Sequence, residues 1–280
     1  MITHLKDGNR RARLRWVGSI VLCGVLGLFI YNKAMTPLSQ DRAQELMEKD
    51  FVPALLNGEV PVGYPISRGT AVALLEVDEL DLRAVVVEGT QSEDLAKGPG
   101  HLVGSALPGQ PGTSAILAHS NTYGSTFARL NELRPGSDIS VTTGQGKHTY
   151  KVVDSTVRSA SDSAAFLGER NMLLLITGAG GTSPNQRLVV RAELTSPVFP
   201  SGLADENANT STSELGLEGS SQAPGQVVLW LLFLLVLLLI STPIIDFVGS
   251  RVGWLLCAPV LLVVALQIWR NASLMFPAIG

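Results

Sequence analysis

The side chains able to do covalent or proton-transfer chemistry are few in this sequence, and their positions decide between them. It has two cysteines, Cys23 and Cys257, and both lie in long uncharged runs. The polar body of the chain therefore offers no thiol nucleophile, no disulfide and no Cys/His metal site, and nothing in it asks for a cofactor. Among the histidines, His119 closes the apolar run Thr113–His119 and precedes a polar loop. Its ordinary pKa near neutrality suits it to acid/base work. His101 and His148 read as surface or turn residues, and His4 lies in a basic leader. Ser120 adjoins His119, while Thr182 and Ser183 sit in a Gly-rich loop. A serine becomes a nucleophile only beside a positioned base, which His119 would supply. Arg187 opens an alternating run, where the plain reading is an exposed arginine at a strand end.

These groups have to be aimed by strands. Leu173–Thr177 is an apolar run of β-formers, Gly178–Asn185 a Gly-rich loop, and Arg187–Leu194 alternates apolar and polar residues. That is a buried strand, a loop and a half-buried strand. Thr177 is aimed at the opposite face from position 178, because side chains alternate along a strand. Arg191, four residues beyond Arg187, shares its face and reads as structural. Further strands are expected near Ala71–Val77, Leu82–Glu88, Thr113–His119, Asp138–Thr142 and Lys147–Val157, with short helices at Ser92–Lys97 and Ser125–Leu133. Pro and Gly at Gly98-Pro99-Gly100, Pro108-Gly109, Pro111-Gly112 and Pro135-Gly136 break the strands at short intervals. Many short strands with such turns predict a mainly β fold, a closed β-barrel that leaves no sheet edge open.

Three segments in order resemble the sortase family. Thr113–Leu133 (TSAILAHSNTYGSTFARLNEL) is similar to the segment carrying the family's histidine, a strand ending Ala-His, a Tyr-Gly loop and F-x-x-L-x-x-L. Leu173–Leu194 is similar to the segment ending L-x-T-C, followed by a loop and R-L-V-V. Glu93–Gln110 matches the D-L-x-x-G-P-G-H and A-L-P-G-Q phrases of actinobacterial sortases, class E most nearly. The likeness covers roughly residues 60–195 and implies a barrel of about eight strands. It also implies that His119 is the acid/base partner of a thiol and that Arg187 donates hydrogen bonds to a scissile carbonyl. One position departs. Gly178 stands where the family has its cysteine, and Arg187 follows it by the family's nine residues. The register is kept and the nucleophile is missing. Ser120, where actinobacterial sortases commonly carry arginine, is a second departure.

The two ends of the chain account for a hydrophobic content of 46% with only 16% charged residues. Residues 1–15 form a basic leader with Lys6, Arg10, Arg11, Arg13 and Arg15. Residues 16–34 are expected to be a transmembrane signal anchor rather than a cleaved signal peptide, since Tyr31, Asn32 and Lys33 offer no small-residue cleavage site. Residues 35–59 read as an amphipathic stalk helix with Leu46, Met47 and Phe51 on its apolar side, a stalk or a lid over the site. Pro37 punctuates it near its start and Pro53 near its end. Residues 60–195 form the barrel domain and 196–225 a flexible linker poor in large apolar residues. Residues 226–246 and 252–269 are expected to be transmembrane helices, each long enough to cross, making three with the anchor. The domain is then outside a multi-pass cell-membrane protein, with the 246–251 turn in the cytoplasm.

A net charge of −3 gives no reason to expect nucleic acid. Three functions remain open. The first is an inactive member of the family that keeps a groove for a sorting-signal (LPxTG-like) peptide and works beside an active sortase or a pilin-like substrate. The second is an active transpeptidase or hydrolase using Ser or Thr, or an enzyme whose cysteine is lost only in this copy. The third is a structural membrane subunit, its contacts made in the bilayer.

Overall fold

In the computed structural model the described residues are 18, 22, 24, 25, 27, 36–159, 170–179, 186–200, 223–248 and 250–273, with side chains described in the last two segments for 224–240 and 257–272. They fall into two compact units. One comprises Thr36–Ser220 with Phe276–Gly280, and the other Met1–Met35 with Ser221–Met275.

The first unit is built on eight strands: β1 Ala71–Val77, β2 Leu82–Glu88, β3 Gly100–His101, β4 Thr113–Leu117, β5 Asp138–Thr143, β6 Gly146–Ser159, β7 Met172–Gly178 and β8 Gln186–Leu194. They close into a barrel in the order β1-β2-β3-β4-β7-β8-β6-β5, with β2–β3 and β4–β7 parallel. The expected barrel is thus observed. β3 was not legible as a strand, because two residues framed by Pro99 and a turn carry no periodicity.

Alternation sorts the apolar side chains onto two faces. Leu75, Val86, Ile116, Ala118, Ile139, Val141, Tyr150, Leu173, Leu175, Val190 and Ala192 fill the barrel. The other face of β4, β7 and β8 carries Ala115, Leu117, Leu174, Ile176 and Val189, packed with Leu95 and Leu102. Burial on both faces is why β7 reads as a continuous apolar run rather than an alternating one. Each such Leu or Ile contributes roughly 1.5–3 kcal/mol by leaving water.

Phe127, Leu130 and Leu133, none more than 3% exposed, join the barrel core. The expected helix over Ser125–Leu133 is instead a pair of single 3-10 turns, Tyr123–Ser125 and Leu130–Glu132. Ser125 has φ +51, which no right-handed helix accepts, and the Phe127 N–H donates back to the His119 carbonyl at 3.0 Å. Apolar residues three apart stack on one face of a 3-10 segment as they would on an α-helix.

Helix α1, Thr36–Asn57, lies against β1 and β2. Phe51 is buried with Leu74, Val85 and Val60, and Met47, Ala54 and Leu55 pack beside it. Met47 and Phe51 thus lie on the packed side as expected, whereas Leu46 is 54% exposed. Pro53 lies inside the helix, which ends before Gly58 at φ +72. Gln44 fastens α1 to the sheet. Its Oε1 accepts from Val85 N–H at 2.7 Å, and its Nε2 donates to the Val85 and Lys97 carbonyls at 3.1 and 3.0 Å. Gln44→Ala leaves those backbone groups without the side-chain partner and should cost about 1–3 kcal/mol in a urea titration. A loss below about 0.5 kcal/mol would mean that α1 is held by Phe51 alone.

The second unit contains α3, Ala223–Val248, and α4, Ser250–Ser273, which pack on each other; α2 is the single turn Ser92–Leu95 of the first unit. Large apolar side chains of α3 are exposed, Leu229 by 67%, Leu239 by 66% and Phe233 by 48%. Trp269 Nε1 donates to the Gly24 carbonyl at 3.1 Å, and a methyl at Gly27 would stand 3.2 Å from the Ala265 Cβ. Among the described residues no helix is long and apolar enough to cross a membrane. The expected span 16–34 falls largely outside those residues, 226–246 and 252–269 partly so, and most of the 196–225 linker wholly so.

Candidate functional site

Strand register puts the three family-matched positions in one row. Gly178 on β7 faces Arg187 on β8, the last pair of that ladder. On the other side of β7 the parallel ladder ends with Leu117 facing Ile176, and the Ala118 N–H still donates to the Ile176 carbonyl at 3.1 Å. Two residues on, the same register brings His119 level with Gly178. Leu117, Ile176 and Val189 share the outer face, so by alternation His119, Gly178 and Arg187 share it too.

His119 is nine-tenths buried. Burial alone pushes its pKa from 6.5 down to about 4, so the ring is neutral at pH 7. Nδ1 shares a 3.0 Å hydrogen bond with Thr122 Oγ1, and the Tyr123 ring lies 5.0 Å away centroid to centroid. Nε2 is buried and has no hydrogen-bond partner among the described residues. Leaving such a nitrogen unpaired costs about 1–3 kcal/mol, a cost that a ligand would remove. The loop after His119 is held from α1. Gln40 Nε2 donates to Thr126 Oγ1 at 2.8 Å, and Gly124 beside it has φ +71, the left-handed region that favours glycine.

Arg187 is 2% exposed, which sets aside the plain reading of an exposed strand-end arginine. Desolvation lowers its pKa, though the guanidinium stays charged. Arg191 is structural, as its position implied: Nε and Nη2 donate to the two oxygens of Asp154 at 2.9 and 2.5 Å, holding that carboxyl below its usual range. Sequence reasoning missed Arg158. It lies on β6 directly opposite Arg187 and so extends the row to His119, Gly178, Arg187 and Arg158 across four strands.

The hydroxyls divide. Thr177 Oγ1 donates to the Ala118 carbonyl at 2.7 Å, on the face away from position 178 as expected. Ser120 Oγ is buried and makes no hydrogen bond, to His119 or to any other described residue. Thr182 and Ser183 lie outside the described residues.

The other two domain histidines are not surface residues. His101 and His148 are both 0% exposed. His101 Nδ1 meets the buried Glu88 Oε2 at 2.9 Å, and Tyr64 O–H donates to Glu88 Oε1 at 2.9 Å. Ser105 Oγ lies 3.0 Å from His101 Nε2 and donates to the Leu102 carbonyl at 2.8 Å. A Ser–His–Glu chain in atom order is therefore buried in the domain, where it ties β2, β3 and the following loop together. This is the structural content of the G-P-G-H phrase. The A-L-P-G-Q phrase is explained at its glycine: Gly109 has φ +89, and a Cβ there would come within 2.2 Å of the His148 ring. His148 Nε2 bonds Thr143 Oγ1 at 3.1 Å and the ring meets Phe199 edge-on.

With no side chain at 178, the row has one neutral imidazole, two guanidiniums and no nucleophile. Its imidazole and guanidiniums are groups that can hydrogen-bond an acyl carbonyl or an anion. Residues 75–195 match the Sortase domain family model. Sortase D of Bacillus subtilis (strain 168) is 30% identical over 111 residues, which is 39% of this chain and 54% of that protein. The chain thus spans about half the length of this curated relative. Among solved structures, a Clostridium perfringens sortase D5 transpeptidase is similar at TM-score 0.47 and 22% identity, covering 56% of this chain and 99% of that one. Sortase E from Streptomyces avermitilis is similar at TM-score 0.43 and 29% identity, covering 47% and 91%. Residues 75–195 are a sortase-family domain.

Proposed function

We propose that this sortase-family domain holds a sorting-signal-like peptide at the His119–Gly178–Arg187 row without transferring it, as a binding or assembly component on the outer side of a cell membrane. The observation that carries the reading is the register. Gly178 faces Arg187 and by the same register stands level with His119, which supports reading the row as a frame kept around a residue with no side-chain atom. An active sortase or a pilin-like substrate acting nearby would supply the peptide. The membrane part is supported by the uncharged runs 227–245 and 252–269, by their helical backbone and by the outward-facing leucines of α3. If the leader is inside, a reporter fused near residue 248 should be active only in the cytoplasm; activity outside would overturn this topology.

For the groove itself, the full-length chain purified in detergent should bind a labelled Leu-Pro-Ala-Thr-Gly peptide saturably in fluorescence anisotropy. Arg187→Lys keeps the charge and loses the planar fork, and should weaken binding about tenfold. Absence of saturable binding, or equal affinity in the variant, would contradict the reading. One observation favours a hydroxyl enzyme instead: Ser120 Oγ, buried and unpartnered, is the neighbour of an unpartnered imidazole. Adduct formation that depends on Ser120 separates the two.

A further inference from the structure

We infer that Gln40 on α1 is a positioning residue for His119: its bond to Thr126 latches the loop 122–126 in a strained form that keeps the imidazole covered. The strain lies in three consecutive residues. Tyr123, Gly124 and Ser125 have φ of +47, +71 and +51, all left-handed, and Tyr123 and Ser125 carry the Cβ that this region disfavours. Residues held in this way persist only where their surroundings over-determine them, and they cluster at sites and switches. Here the loop lies directly on the imidazole. Thr122 Oγ1 bonds Nδ1 at 3.0 Å, and the buried Tyr123 ring stands 5.0 Å from the His119 ring. Within the loop, Ser125 N–H donates to the Thr122 carbonyl at 2.9 Å and Phe127 N–H to the His119 carbonyl, which closes the turn. From outside it, Gln40 Nε2 reaches Thr126 Oγ1.

Gln40 acts from a fixed base. Gln44, one turn later on the same face of α1, is bonded to Val85 and Lys97, and Phe51 is buried beyond it. The helix is thereby tied to the sheet, and Gln40 extends from it to the loop. Gln40 is 3% exposed, and its Oε1, lying against Gly124, has no hydrogen-bond partner among the described residues. An apolar residue would fill that space without burying an unpaired carbonyl, so packing does not account for a glutamine here. The bond to Thr126 does. Burial is what holds the His119 pKa down; the titratable groups near the ring are Tyr123 and, level with it by register, Arg187, while Asp41 and Arg42 beside Gln40 are exposed. Release of the latch lets Thr122 and Tyr123 leave the ring and admits water. His119 then changes from a neutral hydrogen-bonding group into one that exchanges a proton near neutral pH. The latch thus governs which chemistry the ring has.

The test is an NMR titration of the four histidines in the full-length chain purified in detergent, with isotope-labelled histidine and the His119 signal assigned by its loss in His119→Asn. Gln40→Met keeps the length of the side chain and removes the bond. Thr126→Val removes it from the other end at nearly the same shape, and carries the test if the helix variant does not fold. Each should raise the His119 midpoint from about 4 by at least about one unit. Thr126→Ser keeps the hydroxyl and should keep the wild-type midpoint. Gln44→Ala loosens the same helix at the sheet, and should lower stability while leaving the midpoint within about 0.3 units. An unmoved midpoint in folded Gln40→Met or Thr126→Val, a raised one in Thr126→Ser, or an equal rise in Gln44→Ala overturns the inference. The placement of His119 does not depend on what the row binds. A wild-type chain that holds no peptide therefore ends the reading above and leaves this titration to decide the latch.

Discussion

Phe127→Ala should lower the stability of the barrel unit by about 3–5 kcal/mol, enough to consume a large part of what a domain of this size has. Phe127 is 1% exposed and is among the largest fully buried side chains of the domain. It packs with Leu130, Leu133 and the inward residues of the sheet. Closed on all sides, that site has little freedom to collapse around the cavity. The same residue also ties the core to the candidate site, because its N–H donates to the His119 carbonyl. Truncation should therefore loosen the His119 loop and weaken peptide binding together with stability. Phe127→Leu, nearer in volume, should cost under about 1.5 kcal/mol. Urea titrations with an unchanged slope read both; a cost below about 1 kcal/mol for the alanine variant would show that these residues are not a packed part of the core.

The second large effect is on pH dependence. In the folded chain burial holds His119 at about 4, and on unfolding it returns to its ordinary 6.5. Between those values the unfolded chain takes up the proton and the folded chain does not, so stability falls as pH drops from 6.5 toward 4. Below that window the loss is complete, and above it His119 contributes no pH dependence. The full loss is roughly 3 kcal/mol. His148, also lowered by burial, adds a slope of the same sign. His119→Asn should therefore flatten the profile without abolishing it. An identical profile in His119→Asn, or a His119 ring that titrates near its ordinary value by NMR, would contradict the buried neutral imidazole.

How much of this was legible in the sequence depends on the reach of each signal. β7 and β8 announce themselves locally, through an apolar run, a glycine loop and an alternating run. Nine residues from Gly178 to Arg187 suffice to make them partners, and the structure pairs them. His119 was found because it ends a strand. His101 and His148 were misread as surface residues because what buries them is distant in sequence: Glu88 ends β2 thirteen residues earlier, and Phe199 arrives from beyond β8. Arg158 was invisible for a related reason. Its place opposite Arg187 follows from the β6–β8 register, which a bulge between Val152 and Asp154 shifts, and no periodicity within β6 reports that. The short helix expected over Ser125–Leu133 is two separate 3-10 turns, because residues three apart suit either kind of helix and the left-handed Ser125 leaves no trace in the pattern.

The central claim is that the site binds and does not transfer. Intact-mass spectrometry of the full-length chain in detergent, incubated with Leu-Pro-Ala-Thr-Gly peptide and triglycine as amine, tests it most directly. The account predicts an unchanged protein mass, intact peptide and no triglycine-linked product at peptide concentrations that saturate the groove. A mass increase equal to the Leu-Pro-Ala-Thr acyl group that survives denaturation and disappears in Ser120→Ala would contradict it and make Ser120 the nucleophile.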